Sequence, residues 1–291
     1  MARALILHNP AARNAPGPVI LGTIRRKLVL AGFDVELQPS LRAGDLIRLA
    51  AGAEGTGYER VVVCGGDGSV REVAQGLNGS HVPLAIIPLG TTNVLAREMG
   101  LPHLRPLACA SIAAGGRVRD VGIGAVNGHA FTFCASAGPD SVGVARVNLQ
   151  AKSQLGGWAY IHAAMRGLLD PGPPELQVLL PDGTRLDACM VFAAKSRRYG
   201  GSLTISRGAS LEAPDLRLIV VSPPVSNAFR AIPYTLRGGI EGAPGITWSD
   251  VTSFELRSHE PCPVQADGDL VTTTPAVFAS KASALRLVFP C

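Results

Sequence analysis

The first 120 residues alternate short, uninterrupted apolar runs with segments whose apolar positions recur at helical spacing. Residues 4–8 (ALILH), 61–64 (VVVC) and 84–87 (LAII) are apolar almost throughout. A strand has that character when both of its faces are covered. Helices are expected at 19–31, after Ser40, and from Val70 through Val73, Ala74 and Leu77, with a further strand at 34–38. Two more helices are expected at 94–99 and 107–114, the second closed by Gly115-Gly116. Strand, helix, strand, helix in this order predicts an α/β domain with a mostly parallel sheet covered on both faces.

Beyond Arg119 the pattern changes. Short strand-like runs bounded by turn residues occupy 118–123, 130–135, 176–180, 185–194, 216–221 and 254–258. Asp182-Gly183 has the composition of a hairpin turn, and one helical island interrupts the series at 152–169. The expectation is a mainly antiparallel β-sandwich as a second domain. The boundary is placed so that 1–120 form the α/β domain and 121–291 the β-rich domain, whose C-terminal segment has the option of returning to the first.

Composition narrows the class without deciding it. With 291 residues, 47% apolar and 17% charged, the chain can bury a sizeable core. A net charge of +5 suits an anionic ligand or an acidic surface, but the basic residues form no dense runs, so no nucleic-acid partner is expected. Six cysteines stand without a CxxC pair, as reduced core thiols of a cytoplasmic protein do. No signal peptide is apparent, and no window reaches the roughly 18 apolar residues of a spanning helix, so any membrane contact is expected to be peripheral.

Candidate chemistry concentrates between Val61 and Asn93. Two buried runs each end in glycine or proline, then a hydroxyl or an acid, then a helix: Gly65-Gly66-Asp67-Gly68-Ser69 and Pro88-Leu89-Gly90-Thr91-Thr92-Asn93. Small residues there let backbone N–H groups approach a phosphate at a helix N-terminus. Asp67 either anchors Mg²⁺ or orients an acceptor hydroxyl, or it caps the helix that follows. Thr91 and Asn93 either contact phosphate or serve as ordinary caps. Asp267-Gly268-Asp269 presents two carboxylates in a turn, either a proton acceptor or a plain acidic β-turn. No G-x-x-x-x-G-K-[ST], GxSxG or HExxH occurs, and the six histidines show no ligand spacing.

The first of these blocks resembles the GGDG(T/S) signature of the diacylglycerol kinase catalytic domain family, which includes bacterial lipid kinases and sphingosine kinases. The second resembles that family's PLGTxNxxAR block, through Leu95-Ala96-Arg97. Other resemblances cover the rest of the chain: Asn9-Pro10, where Ala12 and Arg13 replace a Ser and a Gly; Ser40 with Gly44-Asp45; and Lys152 to Gly156 with Ala159-Tyr160. Tyr199-Gly200-Gly201 and Asp267-Gly268-Asp269 complete the set, Asp269 standing where the family has Glu.

The resemblance implies a kinase that transfers the γ-phosphoryl group of ATP, with Mg²⁺, to the hydroxyl of diacylglycerol or a related lipid alcohol. It implies nucleotide contacts from Asn9, Ser40, Gly65, Gly66, Asp67, Gly68, Ser69, Glu72, Thr91 and Asn93, with Asp67 also at the metal. Asp269, Asp267 and Asp67 are the implied catalytic residues. The nucleotide is expected between the domains, the acyl chain in the second domain. Arg146, Lys152, Arg166, Arg197 and Arg198 are expected to steer the protein to anionic lipid. Val94 stands where the family often has Asp, and Glu212 to Leu216 departs from a metal site of some bacterial members, so no metal is assigned there. A catalytically weak lipid-binding or regulatory protein and an NAD kinase-like enzyme are the alternatives, and a homodimer is left open.

Overall fold

The computed structural model describes residues 2–12, 14–146, 174–201 and 203–291. Arg13, Ser202 and the island expected at 152–169, with Lys152, Tyr160 and Arg166, lie outside them. The chain forms two compact units, Met1–Val121 together with Ser283–Cys291, and Gly122–Ala282.

In the first unit, β1 (Ala2–His8), β2 (Phe33–Pro39), β3 (Tyr58–Gly65) and β4 (Leu84–Pro88) form a parallel sheet in the order β2-β1-β3-β4. Residues 283–289 add a fifth parallel strand beside β4, with Leu287 opposite Leu84. Ile6, Val62, Val63 and Ile87 are wholly buried, which is why their runs carry no polar alternation. The helices are α1 (Pro18–Leu30), α2 (Asp45–Ala51), α3 (Asp67–Gly76), α4 (Val94–Glu98) and α5 (Pro106–Gly115). α1 packs with α5, and α2 packs with α3. Pro18 and Pro106 open their helices at the first turn, where the missing N–H costs nothing. α1 buries Leu21, Ile24 and Leu28, one stripe at helical spacing.

One expected helix start is displaced. Ser40 does not open α2: its N–H donates to the His8 carbonyl at 2.8 Å. The helix begins at Asp45, after Gly44 in a left-handed conformation (φ 80°). The Asp45 carboxylate gathers the backbone N–H groups of Leu41 and Arg42, each at 2.9 Å.

The second unit is a β-sandwich. It begins within β5 (Arg117–Val126), which pairs with β6 (His129–Phe131), and continues through β7 (Cys134–Ala137), α6 (Pro139–Arg146), β8 (Leu176–Leu179) and β9 (Arg185–Ala188). Next come β10 (Met190–Ala194), β11 (Arg198–Tyr199), β12 (Leu203–Thr204), β13 (Leu216–Val221) and α7 (Ser226–Thr235). The last strands are β14 (Ile246–Val251), β15 (Ser253–Ser258), β16 (Pro263–Ala266), β17 (Asp269–Thr273) and β18 (Ala276–Phe289). Within this unit the start of β18, with β15, β8 and β9, makes one antiparallel ladder. The other runs β14-β13-β10-β7-β16-β17. Alternate residues of both fill one core, including Val178, Val191, Leu218, Leu256, Val264 and Phe278.

Two expected strands prove to be pairs. The run 185–194 divides at Cys189, β9 joining one ladder and β10 the other. The run 130–135 divides between Phe131 and Cys134, because the backbone donors of that stretch are captured by the Asp267 carboxylate.

Candidate active site

The four parallel strands end at His8, Pro39, Gly65 and Pro88, so Asn9, Ser40, Gly65 to Ser69 and Gly90 to Asn93 all follow the carboxyl ends of one sheet. From β1 the chain steps to β2 on one side and later returns to β3 on the other. In open α/β sheets such a reversal of strand order marks the place outside the carboxyl ends where ligands bind. Asn9 and Gly65 flank it, His8 being paired with Cys64. The Asn9 side chain accepts from the Ala11 N–H at 2.9 Å, which fixes the turn.

The two glycine loops touch. A Cβ on Gly66 would lie 3.1 Å from the Gly90 Cα, and one on Gly90 would lie 2.7 Å from the Gly66 Cα and 2.8 Å from Asn93 Oδ1. The Leu89 N–H donates to the Gly65 carbonyl at 2.9 Å. Asn93 is left-handed (φ 48°), and its Nδ2 donates to the Gly90 carbonyl at 2.7 Å. Only glycine permits this approach of backbone to backbone. Gly90→Ala is therefore expected to push the loops apart and to destabilise the fold by about 1–3 kcal/mol, read by urea unfolding.

Asp67 does not cap its own helix. Its Oδ2 accepts from Thr92 Oγ1 at 2.9 Å, and the backbone N–H groups of Val94, Leu95 and Asn93 also favour its anion. Asp67 thus closes the start of α4, the helix of the second loop. Burial holds its carboxyl above the usual range, against the pull of these donors. Arg97 secures the same loop by donating from Nε to the Thr92 carbonyl at 2.8 Å.

This arrangement can hold an oxyanion chain. The first turn of α3 leaves the N–H groups of Asp67, Gly68 and Ser69 without intrahelical partners, beside the Ser69 hydroxyl, with Glu72 one turn further along. A Cβ on Gly65 would lie 2.7 Å from the Ser69 Cβ, so that position too admits only glycine. Thr91 is exposed beside the partly buried Asp67. Among the described residues no three acidic, histidine or cysteine side chains gather as a metal cluster. A single carboxylate suits Mg²⁺ that arrives with phosphates, since that ion keeps most of its shell as phosphate oxygen and water.

In the second unit, Asp267 and Asp269 occupy different surroundings. Asp267 is buried and left-handed (φ 51°). Its Oδ2 accepts from the Thr132 N–H (2.6 Å) and hydroxyl (2.8 Å), its Oδ1 from the N–H groups of Phe133 (3.0 Å) and Cys134 (3.1 Å). Asp269 opens β17 and is partly exposed. Gly268, between them, donates to Gln265 Oε1 at 2.8 Å, and Gln265 donates to Ser136 Oγ at 2.6 Å. Ser136 and Tyr199 both donate to Asp140 Oδ2, Tyr199 at 2.7 Å. A buried chain therefore links the Asp267–Asp269 turn to the turn at Tyr199-Gly200-Gly201.

Three residues were not singled out by sequence. Thr92 lies inside the quoted block, but its contact with Asp67 spans 25 positions. Asp140 is held by Ser136, four positions before it, and by Tyr199, 59 positions after it. His8 shares no ligand spacing with the other histidines. It is buried at the end of β1, its Nδ1 has no hydrogen-bond partner, and burial lowers its pKa.

Residues 3–126 match the family described as Diacylglycerol kinase catalytic domain, and residues 134–289 the one described as YegS C-terminal NAD kinase beta sandwich-like domain. A diacylglycerol kinase of Mycobacterium tuberculosis (strain H37Rv) is 30% identical, over 97% of this chain and 92% of its own. One of Bacillus subtilis (strain 168) is 26% identical, over 100% of this chain and 97% of its own. The crystal structure of a diacylglycerol kinase from Bacillus anthracis str. Sterne shares the fold, with a TM-score of 0.77 over 99% of this chain and 96% of that one, at 20% identity.

Proposed function

This chain belongs to the diacylglycerol kinase catalytic-domain family, and we propose that it is a lipid kinase transferring the γ-phosphoryl group of ATP to a hydroxyl of diacylglycerol or a related lipid alcohol. The observation that carries this reading is the closure of two glycine loops upon each other through Gly66, Gly90 and the Asp67–Thr92 bond. The contact leaves a helix N-terminus and small residues at the carboxyl edge of a parallel sheet, a form suited to a polyphosphate. Asp67 would hold Mg²⁺, which supplies charge neutralisation at the transferring group. As the bond from the γ-phosphorus to ADP breaks and the bond to the lipid oxygen forms, the hydroxyl proton goes to the Asp269 carboxylate. Asp267 is assigned the holding of the turn, since both of its oxygens are already engaged.

The relatives named above support the class of acceptor by their own names. No described helix is long and apolar enough to cross a membrane, which is compatible with a protein that meets its lipid at a surface.

Radiolabelled ATP offered with a panel of lipid alcohols in mixed micelles tests this. Label in the organic phase, dependent on Mg²⁺, is the expected outcome. Label on NAD⁺ alone would replace the reading with a nucleotide kinase, and lipid binding without any ATP turnover would replace it with a binding protein.

A further inference from the structure

The helices of the first unit differ in charge. α2 and α3, which pack together, carry Asp45, Asp67 and Glu72. α1 and α5, which also pack together, contain no acidic residue, while α1 holds Arg25, Arg26 and Lys27. The nearest acid after α1 is Asp34 on β2, which is exposed.

α1 also reverses the usual order of its faces. Leu21, Ile24 and Leu28 form its buried stripe. Positions 19, 26 and 30 are separated by about two and three turns and fall on the opposite pole, where a surface helix is ordinarily polar. Val19 is 82% exposed there and Leu30 77%, with Arg26 between them; Ile20 and Val29 are exposed at their sides. An exposed leucine followed by an exposed arginine recurs at Leu41-Arg42, after β2, and at Leu104-Arg105, before α5.

We propose that the outward face of α1, through Val19, Arg26 and Leu30, with Arg25 at its flank beside Val29, is the surface by which this protein docks on an anionic lipid bilayer. Apolar side chains at the pole enter the acyl boundary, and Arg26 between them meets lipid phosphates. Charge complementarity selects the partner: a helix pair with cations and no acids gains from a negative surface and has nothing to offer a basic one. The choice of a bilayer rests on the lipid-kinase reading above.

Co-sedimentation with vesicles of phosphatidylglycerol and phosphatidylcholine tests the surface directly, against vesicles of phosphatidylcholine alone. The wild-type chain is expected to partition to the anionic vesicles and to release in high salt. Removing Arg26 costs about five-fold, and R26E loses at least that much. V19D/L30D is expected to lose about 100-fold. R48E, a charge reversal on exposed Arg48 of α2, leaves the partition unchanged. Val19, Leu30 and Arg26 are exposed, so thermal unfolding of the α1 variants should stay at the wild-type midpoint.

Variants that bind as the wild type does would overturn the assignment. So would a wild type that ignores vesicles but forms a dimer that V19D/L30D dissociates in light scattering, since a second copy would then cover the face. Phosphate transfer to substrate in detergent micelles is measured in parallel. Its absence in the wild type removes the lipid-kinase reading and leaves the vesicle result standing on its own.

Discussion

Asp67→Asn is expected to lower kcat/KM for phosphoryl transfer by about 10³-fold, some 4 kcal/mol of transition-state stabilisation, while the chain remains folded. The carboxylate accepts from the Thr92 hydroxyl and is favoured by the backbone N–H groups of Asn93, Val94 and Leu95. An amide of the same shape keeps one acceptor oxygen and turns an NH₂ toward groups that are themselves donors. The 90–93 loop must then rearrange, and the carboxylate available to Mg²⁺ is lost at the same time. Thr92→Val separates the two effects, because it removes one loop contact and leaves the charge. Its loss should be about ten-fold. Steady-state kinetics with varied ATP and Mg²⁺ provide the measurement, and an Asp67→Asn enzyme within ten-fold of wild type would refute the role given to this residue.

The second large effect concerns stability. Asp267→Ala is expected to destabilise the fold by about 3–5 kcal/mol, because it strands buried N–H groups of Thr132, Phe133 and Cys134 together with a hydroxyl. Asp269→Asn should leave unfolding within about 0.5 kcal/mol of wild type and instead slow transfer by about 10²–10⁴-fold, as loss of a proton acceptor does. Urea unfolding paired with activity distinguishes the two carboxylates; equal effects on both readouts from either variant would erase the division of labour.

Asp267 also carries a pH signature. Burial raises its pKa from 3.8 to about 6. A carboxyl whose folded pKa lies above its unfolded one adds stability that is complete below the unfolded value and is lost as pH rises through the folded value. The difference in unfolding free energy between wild type and Asp267→Asn should therefore shift in favour of the wild type by roughly 2–2.5 kcal/mol as pH falls from about 7 to about 4.

The fold was legible where burial leaves an unbroken signal. Runs such as 61–64 and 84–87 are apolar on both faces, and Val70, Val73 and Ala74 repeat at the helical period, so β3, β4 and α3 announce themselves. β14 did not, because all six of its residues are partly or fully exposed. Nor did α7, which contains Pro233. The division of 130–135 was invisible for another reason. It is imposed by a carboxylate more than 130 positions away, and no local window contains it. The glycine loops stood out as adjacent turns at strand ends, yet whether Asp67 caps its own helix or ties the next one depends on Thr92, whose distance from it in space no spacing rule supplies.

The fifth parallel strand of the first unit comes from residues 283–289, where Leu285, Leu287 and Val288 are each 1% exposed. During synthesis those residues leave the ribosome only after the whole of the sandwich has been made. Until then β4 presents an open row of hydrogen-bonding groups, the kind of edge that recruits foreign strands. The first 121 residues thus stay unsealed until the sandwich has been made, and a fragment ending there should aggregate unless residues 283–291 are supplied to it.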